Sequence, residues 1–164
     1  MNLKMKTEKM KTFRCLLMAA AAASLMCACT KERGYEDNTE PELPLYQIAG
    51  TWQLTSWNGR EIGVDEPYCY IILTSKDNAF EIYQNIDSPY SRHITGNFSL
   101  NYDEDKGINR ISGWYDYNAG LWTADYVISG VTQDSMTWTS ESDVCVYTRC
   151  EAVPDEIVAG TKSR

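Results

Sequence analysis

The sequence predicts an all-β domain: an eight-stranded antiparallel up-and-down barrel. Eight short runs rich in β-branched and aromatic residues follow one another, about 8–12 residues from one to the next. They cover residues 51–57, 68–74, 79–86, 91–101, 108–116, 121–129, 135–140 and 144–149. The connectors carry turn chemistry: Asn58-Gly59, Lys76-Asp77-Asn78, Asp87-Ser88-Pro89, Asp105-Lys106-Gly107 and Asn118-Ala119-Gly120. Between residues 47 and 152 no stretch shows a convincing helical period. Consecutive strands with short links imply a meander, and closing it into a barrel removes the exposed edges. A two-sheet β-sandwich is the alternative.

Side chains alternate across a strand, so the pattern assigns faces. The inward set is Trp52 and Leu54, then Ile71 and Leu73, Phe80 and Ile82, and Ile94, Gly96 and Phe98. It continues with Ile111, Gly113 and Tyr115, with Trp122, Ala124 and Tyr126, and with Met136, Trp138 and Ser140. Turn positions then suggest a register. Joining residue 101 to 108 sets Gly96 opposite Gly113, a two-residue turn at Asn118-Ala119 sets Gly113 opposite Ala124, and pairing Ile128 with Met136 sets Ala124 opposite Ser140. The product is a row of small residues between aromatic shelves. Two readings follow: a ligand cavity lined by Ile94, Gly96, Gly113, Tyr115, Trp122, Ala124, Tyr126, Trp138 and Ser140, or a narrow barrel whose glycines make room for large rings. On the outer face, Tyr70 and Tyr83 become cross-strand neighbours, with Trp114 nearby.

The amino-terminal segment has a different composition. Lys4, Lys6, Lys9, Lys11 and Arg14 precede an apolar stretch from Cys15 to Ala28, the pattern of a secretory signal. The run Ser24-Leu25-Met26-Cys27-Ala28-Cys29 resembles a bacterial lipoprotein signal, which implies cleavage before Cys29 and acyl chains on its thiol and new amine. Cys27 is a poorer acceptor, because it would leave the large Met26 at the cut. The apolar run is shorter than the ~20 residues needed to span a bilayer, and two or more acyl chains hold a protein stably at a membrane. The expected organisation is a signal peptide at 1–28, a lipid-bearing cysteine and flexible acidic tether at 29–46, the barrel at 47–152 and a loose tail at 153–164.

Gly50-Thr51-Trp52 opening the first strand looks like the Gly-x-Trp signature of lipocalin-like barrels. Arg149 matches the arginine that packs across that tryptophan in the family, so Trp52 and Arg149 are expected to plug one end. Together with the lipoprotein signal, this resembles the lipocalin-like lipoproteins common in Bacteroidetes, over residues 48–150. The resemblance implies an envelope protein anchored to the outer membrane through Cys29. A single acid after the cysteine, in Thr30-Lys31-Glu32-Arg33, favours the periplasmic face over surface display.

Charge narrows the partners. Removing residues 1–28 takes away five of the 15 Lys and Arg and one of the 23 Asp and Glu, leaving 10 basic and 22 acidic residues, a formal −12. Such a surface argues against nucleic acid and anionic headgroups. Cys145 and Cys150 would lie ~16 Å apart on one extended strand, too far for a disulfide. Cys150 at the strand end could reach Cys69, and the alternative is three free thiols. The only histidine, His93, falls on a polar face. No nucleophile elbow, phosphate loop, metal cluster or cofactor motif is visible, so no enzyme activity is expected. The expected function is a membrane-tethered binding module for a small apolar or amphipathic ligand. The alternative is a protein- or glycan-interaction accessory using the outer aromatics.

Overall fold

The computed structural model describes residues 40–63, 66–86 and 88–163. The signal segment, Cys29, the first ten residues of the tether and Asp65 lie outside the described residues. A short helix α1 (Leu45–Ile48) leads into β1 (Gly50–Trp57), and the strands β2 (Arg60–Glu61), β3 (Cys69–Thr74), β4 (Ala79–Gln84) and β5 (Arg92–Asp103) follow. The chain continues through β6 (Ile108–Tyr115), β7 (Tyr126–Ser129), β8 (Ser135–Thr139) and β9 (Val144–Cys150), then helix α2 (Asp155–Gly160) and β10 (Lys162–Ser163). The strands β1 and β3–β9 pair antiparallel in chain order, and β9 pairs back onto β1 to close the barrel. The two remaining strands are additions to its wall. β2 folds back on β1 across the turn Asn58-Gly59, where both residues have positive φ, the conformation of a tight hairpin. β10 lies parallel to the start of β5.

Eight barrel strands are present as expected, although the one expected at 121–129 is regular only over Tyr126–Ser129. Phe80, Phe98, Ile111, Met136 and Trp138 are buried as the alternation requires. The register differs in three places. Gly96 faces Tyr115, and Gly113 faces Phe98, because β5 runs to Asp103 before turning. Ile128 pairs with Trp138 instead of Met136. Ile111 does face Tyr126, but Trp114 bridges Leu121, so two extra residues are taken up between Trp122 and Asp125. Every slip is by two residues, which preserves the inward faces while breaking the row of small residues. Gly96, Gly113, Ala124 and Ser140 do not form a line.

One end is closed. Trp52 is fully buried, its Nε1 donates to the Ile48 carbonyl at 2.8 Å, and the Arg149 guanidinium lies 4.0 Å from its ring centroid. Arg149 donates to the carbonyls of Gln133 (2.6 Å), Ala49 (2.8 Å) and Gln47 (2.8 Å). Gly50 has φ +132°, and a Cβ there would overlap Arg149 Nη1, so that position needs glycine.

Residues 40–46 are not a free tether. Buried Asn109 accepts from Leu43 N at 2.8 Å and donates to the Pro41 carbonyl at 2.9 Å. Tyr102 Oη donates to the Glu40 carbonyl at 2.9 Å, and Glu40 N donates to the Gly107 carbonyl at 2.9 Å. This segment straps the closed end, because the barrel offers it unpaired polar groups there. The loose tail is likewise corrected: α2 and Val153 cover the outer face of β3 and β4, with Val153 and Ile157 packed on Tyr70 and Tyr83.

Candidate functional site

The opposite end is open. The described residues of the connections 58–68, 85–91, 116–125 and 140–143 surround it, and a cavity of ≈ 270 Å³ lies between them. One side of the cavity is aromatic. Trp122, Tyr126 and Trp138 pack together with centroids 5.6–6.4 Å apart, and Tyr115 continues the wall. The other side is aliphatic, formed by Leu54, Ile71, Ile82 and Ile86. Gln84, Thr123 and Asp143 supply the polar edge. A second cavity of ≈ 240 Å³ shares Trp57 and Ile86 with the first and lies along Asn58–Arg60, Ile62, Glu66 and Pro67, where Arg60 is ion-paired with Glu66.

Trp57 reaches the cavity through a bulge. Strict alternation from Trp52 and Leu54 would turn it outward. Leu54 pairs with Tyr147 and Ser56 with Val146, so Thr55 is an extra residue that reverses the parity of the strand end. Trp57 then pairs with Cys145 on the inner face. Its Nε1 donates to Asp143 Oδ1 at 2.7 Å, while Ser142 Oγ donates to Oδ2 at 2.7 Å and Asn58 Nδ2 donates to Oδ1 at 3.4 Å. These donors favour the ionised carboxyl and hold its pKa below the ordinary 3.8, the Ser142 bond contributing most. Asn58 also pairs with Val144 in both directions, which ties the β1–β2 turn to the start of β9.

Of the residues expected to line a ligand, Tyr115, Trp122, Tyr126 and Trp138 do so. Ile94, Gly96, Gly113, Ala124 and Ser140 do not. The space above the two glycines is filled: the Trp122 indole lies against Gly113, and the Phe80 ring and Trp114 carbonyl crowd Gly96. Around them the barrel follows the second of the two expected readings, glycines admitting large rings. Trp122 Nε1 is buried there with no hydrogen-bond partner among the described residues, a cost of ~1–3 kcal/mol. Ile94 packs against the core opposite Ile82, and half-buried Ala124 sits in the irregular stretch before β7. Ser140 Oγ accepts from Asp143 N at 3.1 Å and shapes the β8–β9 turn.

Of the two cysteine readings left open by the sequence, the three free thiols are found: Cys69, Cys145 and Cys150 form no bridge. Cys69 and Cys145 face the cavity, whereas Cys150 packs on the outer cluster with Tyr70, so the sheet separates the two expected partners. Burial pushes the Cys69 thiol up to about 12 and Cys145 up to about 11. The Tyr147 hydroxyl is also raised, chiefly by burial. Sequence reasoning placed Trp57 at the open end without counting it among the lining residues, and it missed Cys69, Cys145 and Tyr147. The parity of Arg149 would have placed Tyr147 and Cys145 inside; the bulge at Thr55 has no sequence signature.

Outside the barrel, Tyr70 pairs directly with Tyr83, yet both are buried under the C-terminal segment. His93 is half-buried: it stacks on Tyr83 at 4.3 Å and meets Glu81 at 2.9 Å. Trp114 remains 45% exposed. Comparison with protein-family models, curated proteins and solved structures finds no match to this chain.

Proposed function

We propose that the chain is a lipid-anchored, non-enzymatic module of a bacterial cell envelope that holds a small amphipathic ligand at the open end of its barrel. The observation that carries this reading is the ≈ 270 Å³ cavity with one aromatic wall, one aliphatic wall and a few polar groups. It is close to the ~300 Å³ lower limit of ordinary ligand sites, so it suits a small molecule or one end of a longer one. The thiols that face it are protonated at neutral pH and poor nucleophiles, which supports holding over chemistry.

The anchor rests on the lipoprotein signal ending in Cys29. The chain enters the domain at the closed end, where Glu40 to Leu43 are bound, so the mouth lies away from the point of entry. The outer-face alternative has weaker support, because burial removes Tyr70 and Tyr83 from the proposed surface and leaves Trp114.

Native mass spectrometry of the protein isolated from its own host tests the reading. The expected spectrum shows acyl mass on the peptide beginning at Cys29 and a noncovalent adduct that is lost in Ile82→Trp, which fills the cavity. An adduct that persists in Ile82→Trp, or an unmodified Cys29, would overturn the corresponding half.

A further inference from the structure

The cavity has a charge as well as a shape. Among the described residues that line it, Asp143 is the one formally charged side chain, and its carboxyl is held ionised by Ser142, Trp57 and Asn58. No lysine or arginine is among the described lining residues. Two arginines lie near the mouth, and neither is among the described residues that line the cavity. Arg60 is ion-paired with Glu66, and exposed Arg92 donates to the Ile86 carbonyl at 2.7 Å while lowering the pKa of Tyr115 against the larger effect of burial. The chain as a whole is acidic, with a formal charge of −8.

Electron-rich rings beside a carboxylate attract cations. An ammonium or guanidinium within about 6 Å of a ring centroid gains ~0.5–2 kcal/mol, more when water is excluded. An anion entering the same space would meet ring faces and Asp143, both repulsive. A compact alkylated ammonium would place its charge-bearing methyl groups toward the aromatic wall, Trp57 and Asp143, and the uncharged remainder of the molecule against Ile71, Ile82 and Ile86. A primary ammonium, by contrast, needs three hydrogen-bond acceptors. The wall offers mostly carbon, so the methylated ion fits it better.

We propose that the cavity selects a small organic cation of the alkylated ammonium class, with Asp143 and the aromatic wall as the selecting groups. This rests on the reading of the cavity as a ligand site and names the ligand's chemistry.

Three shape-matched probes separate the two claims: choline, its neutral carbon isostere 3,3-dimethylbutanol, and the anion 3,3-dimethylbutanoate, each titrated into the full domain by calorimetry. Choline is expected to bind at least tenfold more tightly than the neutral isostere, with no binding of the anion. In Asp143→Asn, which keeps an acceptor for Trp57, the preference should fall to threefold or less. The wild-type comparison stands even where that variant folds poorly. Equal or tighter binding of the alcohol or the anion would overturn the cation proposal while leaving the ligand site intact. No binding of any probe up to ~10 mM would overturn both.

Discussion

Gly113 shows how much a single side chain decides in this barrel. The inward position of residue 113 follows from alternation, but whether a void or a ring sits above it depends on register. Two residues absorbed between Trp122 and Asp125 bring the indole of Trp122 onto Gly113. A Cβ at that position would overlap the ring. Gly113→Ala should therefore destabilise the domain by about 1–3 kcal/mol, read as a lower urea midpoint with an unchanged slope; an unchanged midpoint would mean the indole is not seated there. Cysteine positions tell a similar story. Its place at a strand end suggested that Cys150 could reach Cys69, yet strand parity puts them on opposite faces. Native alkylation at pH 8 followed by peptide mapping should label Cys150 well before Cys69, which is buried and raised to about 12, and before half-buried Cys145, raised to about 11. Rapid labelling of Cys69 would contradict the packing of the cavity wall.

Among the elements, strands were legible and their decorations were not. Period-two patterning marks a strand wherever one face is buried, so the barrel strands are found within a few residues. Nothing in Thr55 announces a bulge, although it re-aims Trp57 into the cavity and couples it to Asp143. The strap and the C-terminal helix were read as loose because they are short, polar and punctuated by proline. Both are held by partners far away in sequence, which local patterning does not register. Asn109 is the clearest case: 1% exposed, it satisfies the Leu43 N–H and the Pro41 carbonyl together. Asn109→Ala leaves both groups unpaired at the closed end and should cost about 2–3 kcal/mol. Hydrogen exchange should then quicken at Leu43 while remaining slow in β8 and β9. If Leu43 exchanged at the wild-type rate, the strap would not be anchored by Asn109.

For the whole molecule, the closed barrel concentrates apolar side chains at one end and leaves a polar-edged cavity at the other. This asymmetry has a pH signature. Cys69, Cys145 and Tyr147 have pKa values raised by burial, so the folded state prefers their neutral forms. That stability is complete below about pH 9, the ordinary thiol value, and is lost as pH climbs toward 11–12 and the unfolded chain ionises. Asp143 works in the opposite sense. Its carboxyl lies below 3.8, so its contribution is present above that pH and fades as pH falls through the folded value. Denaturant midpoints should decline steadily between pH 9 and 11, and Cys69→Ala with Cys145→Ala should flatten that slope. A slope unchanged by the double substitution would place the alkaline sensitivity elsewhere.

The five tryptophans offer the most direct test of the site, because each reports on a different place. Trp57, Trp122 and Trp138 line the cavity, Trp52 sits in the closed end and Trp114 faces outward. Indole N–H resonances of 15N-labelled protein should be followed as choline, and then a small-molecule extract of the host, is added. Shifts at Trp57, Trp122 and Trp138, with Trp52 and Trp114 unmoved, are the predicted result. Movement confined to Trp114, or no movement at the three cavity indoles, would contradict a ligand site at the open end of the barrel.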